Sequence, residues 1–182
     1  MNIIKKFFIK KKLSLIKLVV TDVDGVLTDG NLYIDSKGNE TRRFNVKDGL
    51  GIKLLQEANI KIAVISGGKS DGTIQRLNKL KIKYYFFEAK NKLKVLQDLK
   101  KELELKDCEV LYIGDDLNDL VLKQIVAILV APNDAVKHVK NFADIILSSV
   151  GGDGAIRELS EMILEQKDFY KKIIKKGWIG KN

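Results

Sequence analysis

Short apolar runs alternate with amphipathic stretches along most of the chain. Runs rich in β-branched or aromatic residues fall at Ile16 to Thr21, Ile60 to Ile65, Lys83 to Phe87, Val110 to Ile113, Val126 to Val130 and Asp144 to Leu147. Each has the length and composition of a buried strand. Between them Leu96, Leu99 and Leu103, and later Ile156, Leu159 and Ile163, recur at helical spacing. Strand and helix in alternation predict an α/β domain, a Rossmann-like three-layer sandwich around a mainly parallel sheet. Ligands of such sheets collect beyond the carboxyl ends of the strands.

One stretch breaks the alternation. Asn31 to Asp35, the turn Ser36-Lys37-Gly38-Asn39, and Glu40 to Asn45 read as a β-hairpin. It lies between the first strand and a helix starting near Asp48, where a larger domain could have been inserted; here there is only a flap. An isolated hairpin is marginally stable, so this one is expected to pack against something, such as another subunit. The chain divides into an N-terminal extension (1–14), one α/β domain (15–165, flap 31–45) and a C-terminal tail (166–182).

Composition narrows the classes. A chain of 182 residues, 45% hydrophobic and 31% charged, fits one folded domain with a proper core. No apolar run is long enough to span a membrane. Lysines interrupt the apolar residues of Met1 to Lys12 and no small-residue cleavage site follows, which favours a docked or frayed helix over a signal peptide. The lone Cys108, placed in or beside the strand Glu109 to Ile113, cannot form an internal disulfide and points to a reducing cytoplasm. The net charge of +9 favours anionic partners. The lysines are scattered rather than gathered with aromatics, however, which favours a solvated lysine-rich surface over nucleic-acid binding and leaves a general attraction for a small multiply charged substrate open.

Chemistry gathers at the strand ends. Asp22-Val23-Asp24-Gly25-Val26 follows the first strand, Ser66-Gly67-Gly68 the second and Gly114-Asp115-Asp116-Leu117-Asn118-Asp119 the fourth, while Lys92 opens the helix after the third. Parallel topology puts all four at one sheet edge. Each has a plainer use: Asp22 and Asp24 in an Asx turn, Ser66 as a helix cap, Lys92 in solvent, the later aspartates as caps for the next helix. A calcium loop fits poorly because the distal acidic ligand is missing. His138, with no second histidine, is an unpromising base or ligand. Together the four features make a phosphoryl-transfer site. Clustered carboxylates repel unless a cation neutralises them, and hard oxygen donors select Mg²⁺. The metal also shields a phosphate dianion from an attacking carboxylate, and a serine and a lysine hold the remaining oxygens.

Asp22 to Thr28, Ser66, Lys92 and Gly114-Asp115-Asp116 resemble the four ordered motifs of the haloacid dehalogenase superfamily of phosphatases. The hairpin in place of a cap domain, Phe44 to Gly49, and Gly151 to Glu158 narrow the resemblance to the phosphatases of 3-deoxy-D-manno-octulosonate 8-phosphate, over about Leu15 to Glu165. This resemblance implies Asp22 as nucleophile and Asp24 as the acid and base, its pKa raised by neighbouring carboxylates. It implies Mg²⁺ held by Asp22, the Asp24 carbonyl and Asp115 with Asp116 in support, and phosphoryl binding by Ser66, Gly67 and Lys92. It also implies a homotetramer joined through the hairpins, with the tail Gly177 to Asn182 as a lid. The family usually carries arginine at the positions of Gly68 and Asp153. Lys47, Lys69 or Arg157 would have to compensate, and a nonulosonate 9-phosphate stands as the alternative substrate. A phosphatase of nucleic-acid ends and a non-catalytic binding protein are the rival classes.

Overall fold

The computed structural model describes residues 3–167 and 169–176. In chain order the first half comprises α1 (Ile3–Leu15), β1 (Leu18–Thr21), β2 (Tyr33–Ile34), β3 (Glu40–Thr41), α2 (Val46–Glu57), β4 (Lys61–Ile65), α3 (Asp71–Lys79) and β5 (Tyr84–Phe86). The second half comprises α4 (Lys92–Glu102), β6 (Val110–Ile113), β7 (Ile128–Ala131), α5 (Lys137–Phe142), β8 (Ile145–Ile146), α6 (Ala155–Glu165) and α7 (Phe169–Lys176). Two 3₁₀ segments, Asp107–Glu109 and Leu117–Ile125, flank β6. Cys108 therefore sits exposed in the turn before the strand, not in the strand itself.

Six strands form one parallel sheet in the order β5-β4-β1-β6-β7-β8. The chain builds outward from β1 through β4 and β5, then returns to the other side of β1 for β6, β7 and β8. The order reverses at β1, so its carboxyl end is the switch point where such sheets open a crevice. β1, β6 and β7 are buried at every position, as expected of parallel strands covered on both faces.

Alternation divides the core in two. Val19, Ile62, Val64, Leu111, Ile113, Ile128 and Val130 face α1, α2, α3 and α6, meeting Ile9, Leu13, Ile52, Leu55, Leu77 and Leu159. Leu18, Val20, Ala63, Ile65, Val110, Tyr112 and Leu129 face Leu96 and Leu99 of α4 and Leu122 of the 3₁₀ segment. Each fully buried leucine or isoleucine contributes about 1.5–3 kcal/mol, so both layers are firmly seated. Helix α1 is docked: Ile9 and Leu13 are buried, and Lys12 Nζ donates to the Ala127 carbonyl at 3.0 Å. No described helix is long and apolar enough to cross a membrane.

The motif Val46-Lys47-Asp48-Gly49 ties two helices together. Buried Asp48 accepts from the Gly154 and Arg157 amides at 3.1 and 2.9 Å, capping α6 from the first turn of α2. Between β1 and α2 the chain forms a small antiparallel ribbon, Tyr33 opposite Thr41 and Ile34 opposite Glu40, closed at its base by a bridge between Thr28 and Phe44.

Candidate active site

The backbone turns immediately after β1. The amides of Val26, Leu27 and Thr28 all point to the Val23 carbonyl, and the Val23 amide donates to Asp22 Oδ1 at 2.6 Å. Gly25 is required in this turn: its φ is +77°, and a Cβ there would lie 2.0 Å from Asp115 Oδ2. Gly151 and Gly152 press on the same turn from behind, where a Cβ on Gly151 would meet the Gly25 carbonyl at 2.0 Å. The glycine-rich motif before α6 therefore supports the aspartate turn by close backbone packing.

Buried Asp22 meets a cation and two acids. Lys92 Nζ donates to Asp22 Oδ2 at 2.5 Å and to Asp119 Oδ1 at 2.7 Å, with Tyr112 Oη at 3.4 Å. Carboxylate oxygens of Asp22, Asp115 and Asp119 lie within 4.8 Å of one another. Burial and the Asp119 charge push Asp22 up to about 6, against the pull of Lys92. Burial together with Asp119 and Asp22 pushes Asp115 up to about 7. Burial works against the charged form of Lys92, but Asp22 and Asp119 together raise its pKa. Two neighbours of one cation that still titrate high are short of positive charge.

The donor set fits a hard divalent cation. It consists of oxygen alone, and the Asp115 carboxylate accepts no hydrogen bond from any described residue, which leaves its oxygens for a metal. Asp119 differs. At 0% exposure it accepts from Tyr112 Oη at 2.5 Å and Lys92 on one oxygen, and from the Asp115 and Asp116 amides at 2.9 and 3.3 Å on the other. It holds the loop that presents Asp115.

Several expected residues lie elsewhere. Asp116 is exposed and caps the following 3₁₀ segment through the Leu117 amide at 2.6 Å; it is not one of the three clustered acids. The Arg157 guanidinium bonds Glu161 at 2.6 Å and Tyr170 Oη at 3.3 Å, so it is committed away from the aspartates. Lys47 is exposed on the first turn of α2, and Lys69 lies 3.9 Å from Glu88. Asp153 accepts from Asn45 Nδ2 at 3.0 Å. Ser66 is buried and lines a small cavity together with Asp24, Arg42 and Gly68, while Gly67 is exposed beside it. The tail Gly177 to Asn182 lies outside the described residues. A cavity of about 400 Å³ opens at the far end of the sheet, around Gln56, Lys61, Lys83 and Tyr84, and none of the strand-end residues lines it.

Asp24 has a partner not foreseen. Its Oδ1 accepts from Arg42 Nε at 2.8 Å, and Arg42 arrives from the hairpin. The group touching Asp24 is thus a guanidinium, where carboxylate neighbours were expected. Neither Asp119 nor Arg42 stands out in the sequence. Asp119 left one signal, its place four residues after Asp115 in a run of acids; Arg42 left none.

Residues 87–159 match the model of the haloacid dehalogenase-like hydrolase family. A 3-deoxy-D-manno-octulosonate 8-phosphate phosphatase of Haemophilus influenzae is 44% identical over 156 residues, which cover 86% of this chain and 87% of that protein. The Moraxella catarrhalis phosphatase of the same name, solved with magnesium, phosphate and 3-deoxy-D-manno-octulosonate, superposes with a TM-score of 0.88 at 34% identity, covering 92% of this chain and 97% of that one. A Legionella pneumophila protein described as a hydrolase of haloacid dehalogenase subfamily III A superposes with a TM-score of 0.91 at 42% identity over 94% of both chains.

Proposed function

The chain belongs to the haloacid dehalogenase-like hydrolases, and from that premise we propose that it is a Mg²⁺-dependent phosphatase converting 3-deoxy-D-manno-octulosonate 8-phosphate to the free sugar acid and phosphate. The observation that carries the reading is the group of buried Asp22, Asp119 and Lys92 with half-buried Asp115 at the switch point of the sheet. It is joined by the likeness over nearly the whole chain to an enzyme solved with magnesium, phosphate and that sugar acid.

Asp22, Asp115 and the Asp24 carbonyl would hold the metal, which when bound offsets the negative charge between carboxylate and phosphate. Asp22 attacks phosphorus and forms an aspartyl-phosphate. Asp24 gives its proton to the departing sugar oxygen, then takes one from the water that hydrolyses the intermediate. Lys92 holds Asp22 in place and balances charge on the phosphoryl oxygens, with the Ser66 hydroxyl as a further donor. Asp119 anchors Lys92 and the Asp115 loop, in the supporting part first expected of Asp116.

The hairpin exposes Leu32, Tyr33 and Ile34, which supports assembly into a homotetramer through this element. A single, unpaired Cys108 is in keeping with a reducing cytoplasm. Neither Gly68 nor Asp153 is an arginine, so a nonulosonate 9-phosphate is the competing substrate. The test is phosphate release from the octulosonate 8-phosphate, a nonulosonate 9-phosphate and simple sugar phosphates, with and without EDTA. Turnover of the first should exceed the others, stop in EDTA and fall at least about a thousandfold in Asp22→Asn, the loss expected for a nucleophile. Faster turnover of the nonulosonate ester reassigns the substrate; hydrolysis undiminished in Asp22→Asn removes the nucleophile.

A further inference from the structure

We propose that Arg42 is a positioning residue that decides which oxygen of Asp24 handles the proton; the inference rests on the phosphatase reading above. Arg42 follows β3 in the hairpin, yet its side chain is only 7% exposed, against 37% for that of Asp24. Nε donates to Asp24 Oδ1 at 2.8 Å and Nη1 to Glu40 Oε2 at 3.0 Å. Thr28 Oγ1 approaches the same Asp24 oxygen at 3.4 Å. The other oxygen, Oδ2, accepts no hydrogen bond from any described residue. It looks toward Gly68, where a Cβ would lie 3.4 Å from Oδ2 and 3.7 Å from Arg42 Nη2. The Gly68 amide in turn donates to Ser66 Oγ at 3.2 Å, so Oδ2 faces the loop that carries the phosphoryl-binding hydroxyl.

A guanidinium has donors only. An O–H at Oδ1 would set hydrogen against hydrogen, so the proton of the acid form belongs on Oδ2. The absence of a side chain at Gly68 leaves room both for that oxygen and for the guanidinium beside it. In the first half-reaction a carboxylate oxygen of Asp22 bonds to phosphorus, the ester P–O bond breaks, and the Oδ2 proton passes to the leaving oxygen. In the second, Oδ2 takes a proton from the attacking water, whose oxygen bonds to phosphorus as Asp22 is released. The hairpin thus reaches into proton transfer through one side chain.

The test compares phenyl phosphate with p-nitrophenyl phosphate. The two have nearly one shape and no carboxylate, but only the first expels an anion basic enough to need a proton. In Arg42→Met with saturating Mg²⁺, kcat/KM for phenyl phosphate should fall about tenfold or more, a tenth of what general acid catalysis commonly supplies. That for p-nitrophenyl phosphate should fall less than about threefold, because its leaving group calls on the same catalysis least. An unfolded fraction lowers both alike, so the ratio reports positioning alone; if Arg42→Met does not fold, Arg42→Gln is read in the same way. Equal losses on both esters, or no loss on either, overturn the proposal. A wild-type protein that hydrolyses neither ester nor any sugar phosphate counts instead against the phosphatase reading.

Discussion

Asp116 and Asp119 stand three residues apart in one acidic run and do unrelated work. Asp116 is exposed and serves only backbone amides at the start of the following 3₁₀ segment. Asp119 is fully buried and serves an ammonium, a phenol and two amides. Removing one partner of a buried ion pair leaves an uncompensated charge and costs about 3–5 kcal/mol, whereas losing an N-cap costs about 1 kcal/mol. Asp119→Ala should therefore unfold at clearly lower urea than the wild type and lose most of its phosphatase activity, since Lys92 and the Asp115 loop lose their anchor. Asp116→Ala should stay within about 1 kcal/mol of wild type and retain activity. Urea titration beside an assay of phosphate release separates them; equal losses would return Asp116 to the site. Sequence pattern could not rank the two aspartates, because burial depends on how the 3₁₀ segment folds back on β6. It could place Asp22, Lys92 and Asp115 together, because strand ends in a parallel sheet meet at one edge.

Among the elements, the strands were the easiest to read. The inner strands β1, β4, β6 and β7 are buried almost throughout and appear as largely apolar runs, and five of the six expected runs contain the whole of the observed strand. The exception, Val126 to Val130, shifts toward its carboxyl end because Val126 caps the preceding 3₁₀ segment and Ala131 joins β7. The hairpin was legible from its turn, but its reach was not: nothing in a polar strand tells that Arg42 leaves solvent to meet Asp24. The hairpin also leaves Tyr33 and Ile34 52% and 63% exposed, one on each face of strands of two residues each. So short a ribbon gains little from its own pairing, and burying two such side chains in an assembly would contribute about 1.5–3 kcal/mol each per subunit. The proposed tetramer predicts that Tyr33→Ser with Ile34→Glu gives smaller species than the unsubstituted protein by light scattering after size exclusion. An unchanged tetramer would remove the hairpin from the interface.

For the molecule as a whole, the acidic cluster sets function against stability. Metal-free, Asp115 titrates near 7 and Asp22 near 6, both above 3.8. The folded protein then binds more protons than the unfolded chain between about pH 4 and 7, so its stability falls as pH rises through that window and levels off above it. A divalent cation competes for the same oxygens with those protons. With Mg²⁺ at about a hundred times its dissociation constant, linkage supplies about 2.7 kcal/mol, or about 5–10 °C in Tm for a chain of this size. That rise should appear at pH 8 and shrink below about 2 °C at pH 5, where protons hold the site. Asp115→Asn isolates the cause. It removes one repelling charge, so in EDTA at pH 8 it should melt about 2–5 °C above wild type, while losing both the Mg²⁺-dependent rise and the phosphatase activity. A metal-free Asp115→Asn protein no more stable than wild type would mean that the cluster is already balanced within the protein. A Mg²⁺ shift of the same size at pH 5 and pH 8 would mean that protons and the cation do not compete for the same oxygens.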